Sequence, residues 1–179
     1  MKVSPTDNPE VLVLEPRVFE DSRGLFFEAY NRETLSGLGI SSEFVQDNQS
    51  LSKKNVLRGL HYQVKRPQGK LIRVVRGEIF DVAVDCRRSS PHFGKSVCVS
   101  LSAANRKMLW IPPGFAHGFL VLSEPAEVLY KATDFYAPAH ERTLLWNDPR
   151  LKIPWPVSDP VLSDKDRQGL PLVSAEVYE

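Results

Sequence analysis

Leu71-Ile-Arg-Val-Val-Arg76 runs into Gly77-Glu78, and Ile79-Phe-Asp-Val-Ala-Val-Asp85 begins again at once. Both runs are short, rich in β-branched residues and cut off by a turn glycine, which is the pattern of strands. Lys95-Ser-Val-Cys-Val-Ser-Leu101 alternates strictly, as does much of Ala126-Glu-Val-Leu-Tyr-Lys-Ala-Thr133. Such runs at roughly 8–12-residue spacing predict an all-β sandwich or barrel. The 14 prolines and 10 glycines are spread throughout and leave little room for long helices. Residues 32–38, closed by Gly39, are the best helical candidate. From Pro149 onward, with Pro154, Pro156, Pro160 and Pro171, the chain reads as an ordered irregular tail packed by Trp146 and Trp155.

The 179 residues suffice for one buried core and are few for two, so residues 1–179 are expected to form a single domain. Lys and Arg total 23 against 22 Asp and Glu, a net charge of +1. That balance offers no excess to neutralise a phosphate backbone, and no nucleic-acid partner is expected. No apolar run reaches the ~20 residues of a membrane helix, and no membrane partner is expected. The opening Met1-Lys-Val-Ser-Pro-Thr-Asp-Asn-Pro-Glu10 lacks a hydrophobic stretch with a small-residue cleavage site. Two cysteines are too few for a disulfide scaffold, so a cytoplasmic location is expected. Cys98, within an alternating run, reads as a small buried hydrophobe. Cys86 precedes Arg87 and Arg88, whose charges would favour a reactive thiolate, but no histidine is near it in sequence and a structural role is preferred.

Of the four histidines, His92 and His140 sit in polar, proline-flanked loops and are expected to be exposed. His61 and His117 each lie beside glycine in apolar β segments. Taken singly each reads as a satisfied core residue; taken together they point to function. His117 belongs to Trp110-Ile-Pro-Pro-Gly-Phe-Ala-His-Gly-Phe119, where a Pro-Pro-Gly turn delivers it to the start of a strand. His61 belongs to Val56-Leu-Arg-Gly-Leu-His-Tyr-Gln63. Simple alternation there puts Leu57, Gly59, His61 and Gln63 on one face and Arg58, Leu60 and Tyr62 on the other. A bulge at Gly59 is needed to bring Arg58 and His61 into one cavity.

The pair of segments resembles the two-motif signature of the cupin superfamily of jelly-roll β-barrels. Pro112-Pro113-Gly114-Phe-Ala-His117 supplies the second motif. The first is half present: Tyr62 and Gln63 follow His61 where a paired histidine belongs, and no glutamate stands between His61 and Gly77. Two histidines do not furnish a metal site, so acid–base chemistry without metal is expected. A metal-dependent cupin dioxygenase or isomerase using His61 and His117 is the rival, and a non-catalytic sugar-nucleotide-binding barrel is a third reading.

Within metal-free cupins the chain resembles the dTDP-4-dehydrorhamnose 3,5-epimerase family almost end to end. The blocks that carry the resemblance include Glu15-Pro-Arg-Val-Phe-Glu-Asp-Ser-Arg-Gly24, Phe26-Phe-Glu-Ala-Tyr30, Phe44-Val-Gln-Asp-Asn-Gln-Ser50 and Leu57-Arg-Gly-Leu-His-Tyr-Gln63. Pro67-Gln-Gly-Lys-Leu71, Tyr130-Lys-Ala-Thr-Asp-Phe-Tyr136 and Leu162-Ser-Asp-Lys-Asp166 follow in order. The resemblance implies epimerisation at C3 and C5 of a dTDP-4-keto-6-deoxy-sugar, in dTDP-rhamnose synthesis, with no cofactor. Single-centre epimerases of antibiotic deoxysugars share nearly the same residues and stay open as an alternative.

Inverting a carbon beside a ketone requires taking a proton from one face and returning one to the other. By resemblance His61 is the base, Asp166 its carboxylate partner and Tyr130 the acid on the opposite face. Lys70 matches the cation beside the C4 oxygen, where enolate charge develops. Read without the family, Lys70 is a solvated turn lysine and Tyr130 a half-buried strand aromatic. The resemblance also gives Arg23 and Arg58 to the diphosphate and Tyr136 to the thymine ring. It gives Glu28, Gln46, Asn48, His117, Glu141 and Lys165 to further ligand contacts, and implies a homodimer.

Overall fold

Two antiparallel sheets face one another in the computed structural model, which describes residues 1–179. The first has six strands in the order β1 (Lys2–Pro5), β2 (Leu12–Glu15), β10 (Met108–Ile111), β7 (Lys70–Arg76), β12 (Ala126–Ala132) and β5 (Gln46–Ser52). The second has five, β13 (Glu141–Thr143), β6 (Leu57–Gln63), β11 (Phe115–Val121), β8 (Glu78–Asp85) and β9 (Ser96–Ser102). A separate hairpin, β3 (Val18–Asp21) with β4 (Gly24–Phe27), belongs to neither. The architecture is all-β, as expected from the strand pattern, and a jelly roll, as the cupin resemblance implies, and its sheets do not close on each other. No helix is long and apolar enough to cross a membrane.

The period-2 alternation explains how the layers form. Ile72 and Val74 of β7, Leu109 and Ile111 of β10 and Val128 of β12 point inward from the six-stranded sheet. They meet Ile79 and Ala83 of β8 and Phe115, Phe119 and Val121 of β11 from the other. Full burial of side chains this size contributes about 1.5–3 kcal/mol each. The two runs around Gly77 therefore do not pair: β7 and β8 lie in different sheets, and the chain changes layer at the glycine. Gly77 has φ +77°, and a Cβ there would sit 2.1 Å from the Ser123 hydroxyl.

The outer faces are covered by chain from elsewhere. The short helix α1 (Arg32–Gly37), capped by the Asn31 side chain, lays Leu35 against Leu14, Leu71, Met108 and Trp110. On the opposite side Leu60, Tyr62, Val82 and Val84 pack beneath the irregular tail through Leu151, Leu172 and Ala175. Trp155 donates its indole N–H to the Trp146 carbonyl at 2.8 Å and its ring lies edge-on to Phe80. Cys86 is fully buried in this layer, and burial pushes its thiol up to about 12, so the neighbouring arginines do not make it reactive. His92 and His140 are partly covered rather than exposed.

The bulge required at Gly59 is present. His61 is opposite His117, yet Arg58 is opposite Phe119, so Gly59 and Leu60 together face the single residue Gly118. The extra residue turns Arg58 to the same side as His61, while Leu60 and Tyr62 face outward. Gly59 has φ +112°, and a Cβ there would meet the Gly118 Cα and the His117 carbonyl at 2.6 Å. Gly59→Ala combines a disfavoured backbone with a backbone clash, so a loss of about 2–4 kcal/mol is expected in urea unfolding. A change below about 0.5 kcal/mol would mean that the strand pair has room to spread.

Candidate active site

Between the sheets, at the end where β5, β6, β7, β11 and β12 leave polar residues facing inward, lies a cleft of about 760 Å³. His61 and His117 reach it from neighbouring strands of the five-stranded sheet. Lys70, Tyr130, Gln46 and Asn48 come from three adjacent strands of the other sheet. Arg58, Tyr136, Glu141, Lys165 and Asp166 complete the set.

His61 and Asp166 are 105 residues apart in sequence and form the closest polar pair of the cleft. The imidazole Nε2–H donates to the Asp166 carboxylate at 2.5 Å, and the other ring nitrogen has no protein partner. Asp166 lies on the four-residue helix α2 (Asp164–Arg167) and is only 3% exposed. Ser163, the cap of that helix, donates its hydroxyl to the second carboxylate oxygen at 2.7 Å. Burial works to raise the Asp166 carboxyl, but the hydrogen bonds from His61 and Ser163, with help from the Gly59 amide, outweigh it and hold the group below the usual range. The carboxylate is thus kept charged beside the ring, which fixes the ring's tautomer and stabilises a cation formed on it.

His117 forms a second, fully enclosed pair. Its Nε2–H donates to both oxygens of Asp81, at 3.0 and 3.1 Å. Burial pushes its imidazole down despite Asp81, and the nearby Lys70 and His61 charges add to that. Its ring centre is 6.5 Å from that of Tyr130, which comes from the facing sheet. Burial raises the Tyr130 phenol, so it stays a proton donor at neutral pH. Lys70 is no solvated turn residue: it opens β7, is 8% exposed, and its Nζ lies 3.4 Å from the His61 carbonyl. Burial lowers its amine to about 8, opposed by the charges of Asp81 and Glu141.

At the far end Tyr136 donates its hydroxyl to Glu141 at 2.9 Å, and Lys165 reaches the other oxygen of the same carboxylate at 3.0 Å. Arg58 is anchored through Nε to the Ser52 hydroxyl at 3.0 Å, with the outer guanidinium nitrogens free. Gln46 donates to Asn48 at 2.9 Å.

Arg23 and Glu28 are not brought to this cleft. Arg23 is at the tip of the β3–β4 hairpin, where it doubles back on Asp21 and is 88% exposed. Glu28 follows that hairpin and accepts from Asn31 and Thr34 beside α1. Alternation within a hairpin says nothing about where the hairpin points. Asp81 and Ser163 are the site groups that sequence reasoning missed. Asp81 is a carboxylate at an inward position of an apolar strand, and Ser163-Asp-Lys-Asp166 is a capping sequence; both signals were readable. The donor set does not suit a metal: each histidine faces its own carboxylate, and no three His, Cys, Asp or Glu side chains converge as ligands.

A jelly roll with a histidine–carboxylate pair on one sheet and a buried phenol and ammonium on the other is a scaffold for proton transfer at carbon, of the metal-free cupin type. Residues 5–174 match the family model for dTDP-4-dehydrorhamnose 3,5-epimerase. A Pseudomonas aeruginosa enzyme of that name is 57% identical over 99% of both chains. The epimerase of Legionella pneumophila in complex with dTDP-4-keto-L-rhamnose superposes with a TM-score of 0.95, at 47% identity over 98% of this chain and 94% of that one. A 3'-monoepimerase from Streptomyces bikiniensis in complex with dTDP-quinovose superposes at 0.88 and is 32% identical, over 94% and 87%. The chain belongs to the dTDP-4-dehydrorhamnose 3,5-epimerase family and is an enzyme of that class.

Lys70 gives a test of the site's electrostatics. Its folded value lies below that of free lysine, so the charged form is penalised in the folded state. The penalty is complete below pH 8 and fades as pH rises from 8 toward ~10.4, where the unfolded chain also releases the proton. Lys70→Met, similar in shape and uncharged, is therefore expected to be about 2–3 kcal/mol more stable than the parent at pH 7. The gap should close near pH 10. Urea melts of both proteins at the two pH values measure it, and an equal gap at both would refute a charge-burial cause.

Proposed function

We propose that the cleft epimerises C3 and C5 of dTDP-4-keto-6-deoxy-D-glucose, giving dTDP-4-keto-L-rhamnose. His61 takes the proton from the carbon beside the ketone. The C–H electron pair enters the enolate, whose negative charge falls on the C4 oxygen beside the Lys70 ammonium. Tyr130 gives its hydroxyl proton to the opposite face of the same carbon. Solvent restores the phenol and takes the proton held by His61, and the cycle repeats at the second carbon. Asp166 stabilises the imidazolium formed at each abstraction.

One observation carries this reading: the His61 imidazole, paired with Asp166 through one nitrogen and free at the other, and the buried Tyr130 phenol come from different sheets and line one cavity. An acid and a base so placed address the two faces of a flat enolate. The dTDP-sugar bound in the Legionella relative supports the substrate class. On this reading Arg58 grips the diphosphate, Tyr136 stacks on the base, and Gln46, Asn48, His117, Glu141 and Lys165 are further contacts. Residues 1–179 act as one domain in the cytoplasm, in keeping with two free cysteines and a matched region that spans nearly the whole chain.

Arg23 and Glu28 fit the same reading if they serve the cleft of a second copy. Their hairpin displays Phe26, 70% exposed, with Phe19 and Leu25 also uncovered. An apolar, two-stranded projection of this kind is an association surface, and the occupant we assign is a second copy of this chain.

Solvent deuterium uptake tests the chemistry. The wild type should exchange at both carbons, and exchange at one only would make the protein a single-centre epimerase. His61→Asn should lose exchange at both by about 10²–10⁴-fold. Tyr130→Phe should keep exchange but lose inversion, because His61 then returns deuterium to the face it came from.

Mixing subunits tests the shared site. Arg23→Ala and His61→Asn are each expected to be weak alone, and a mixed dimer should regain one competent site, His61 from one chain and Arg23 from the other. No recovery on mixing, with mixed dimers shown to form, would mean that Arg23 does not serve the cleft of a second copy.

A further inference from the structure

Resting on the nucleotide role given to Tyr136 above, we propose that Gln63 is a positioning residue that sets the nucleotide end of the cleft by fixing the main chain on both sides of Tyr136. Gln63 ends β6, two residues after His61, and is 3% exposed. Its carboxamide makes no bond within its own sheet. Nε2 donates to the Arg66 carbonyl at 2.8 Å and to the Phe135 carbonyl at 3.3 Å, and Oε1 accepts from the Ala137 amide at 2.8 Å. Phe135 and Ala137 flank Tyr136. Both donors of the amide are engaged, so Gln63 is not free to donate to a ligand.

Tyr136 needs such support. Its side chain is tethered only at the hydroxyl, by Glu141, and the residue is 52% exposed. What sets the plane of the ring is the course of residues 134–137. Gln63 holds that segment from beneath and Gln46 accepts from the Tyr136 amide at 2.9 Å. Gln63 is in turn held from the far side of the sheet. The Tyr178 hydroxyl donates to the Gln63 carbonyl at 2.5 Å, and the Tyr178 main chain bonds Cys86 and Arg88 at 3.0 and 2.8 Å. The tail, β6 and the Tyr136 loop thus form one connected stack, whose central group must both donate and accept. Only a carboxamide of that length does so.

Calorimetric titration with dTDP, together with steady-state kinetics on the dTDP-ketosugar, tests it. Gln63→Met should weaken dTDP binding and raise KM by about tenfold, with kcat within about twofold of wild type. In a Tyr136→Ala background the same change should cost nothing further, since the ring it positions is gone. Equal losses in both backgrounds, or a fall in kcat at unchanged KM, would overturn the proposal. Gln63→Glu covers the case in which Gln63→Met does not fold. It keeps the acceptor for Ala137 and regains a donor only when protonated, so its loss of affinity relative to wild type should be smaller at pH 5 than at pH 8; a loss independent of pH would count against the proposal. Should Tyr136→Ala alone leave dTDP binding intact, the nucleotide role of Tyr136 fails; should it weaken binding while Gln63→Met does not, only the role of Gln63 fails.

Discussion

The hydrogen bond between His61 and Asp166 is the contact on which the rest of the structure depends. It joins a strand in the middle of the chain to a one-turn helix near its end, and each side must be delivered separately. On the strand side the extra residue at Gly59 rotates β6 so that His61 faces the cleft. On the helix side the chain is tied down at two points. Val161 bridges Val56, and Leu170 bridges Leu144, so residues 161–170 span the edge of the five-stranded sheet with Asp166 between the two anchors. A carboxylate this enclosed is unfavourable alone, since desolvation costs several kcal/mol. The Ser163 hydroxyl, the Gly59 amide and the imidazole each supply a donor that offsets it. The Gly59 amide belongs to the bulge itself, so the feature that turns His61 inward also helps to hold its partner.

The opposition of the two sheets does the remaining chemical work. Facing sheets stand about 10 Å apart, enough for a flat sugar ring between side chains from each. Tyr130 and Lys70 lie on neighbouring strands whose register pairs Tyr130 with Ile72 and Ala132 with Lys70. The phenol and ammonium are therefore set by the hydrogen-bond ladder and need no loop to move. Burial gives both their working state: it keeps the phenol protonated and leaves the ammonium weakly solvated, so that charge developing on an adjacent oxygen is felt strongly.

Much of this was legible in the sequence because alternation reports which side of a strand is wet. In β5 the alternate residues Gln46, Asn48 and Ser50 face the cleft while Asp47, Gln49 and Leu51 face out. The signal failed where a local rule had to be broken or where geometry was not local. Strict alternation misplaced Arg58 by half a period, and only the glycine hinted at the bulge. Gly77 was legible as a turn glycine, but not as the corner between layers that it is. Lys70 after Pro67-Gln-Gly69 looked solvated because nothing in a turn reveals that it opens onto an interior. The contribution of Asp81 is in the same class: an acid in an apolar run is legible as buried, but its histidine partner is set by the pairing of β8 with β11. Arg23 and Glu28 show the reverse case, in which the family resemblance named residues that do not line the cleft of their own chain.

The two ends of the cleft are built by different means, and that difference bears on how specificity divides. The end that holds His61 and Lys70 consists of strand residues fixed by two ladders and two histidine–carboxylate pairs. The end that holds Tyr136 rests on a loop, steadied by the amide side chains of Gln46 and Gln63. Such a division holds one end rigidly and leaves the other adaptable. The Streptomyces bikiniensis relative, a 3'-monoepimerase, superposes with a TM-score of 0.88 at 32% identity, so the sheets themselves do not decide how many carbons are inverted. That choice lies with the side chains that line the cleft. In this chain His117 and Lys70, both almost fully buried, line that cleft together with His61 and Tyr130.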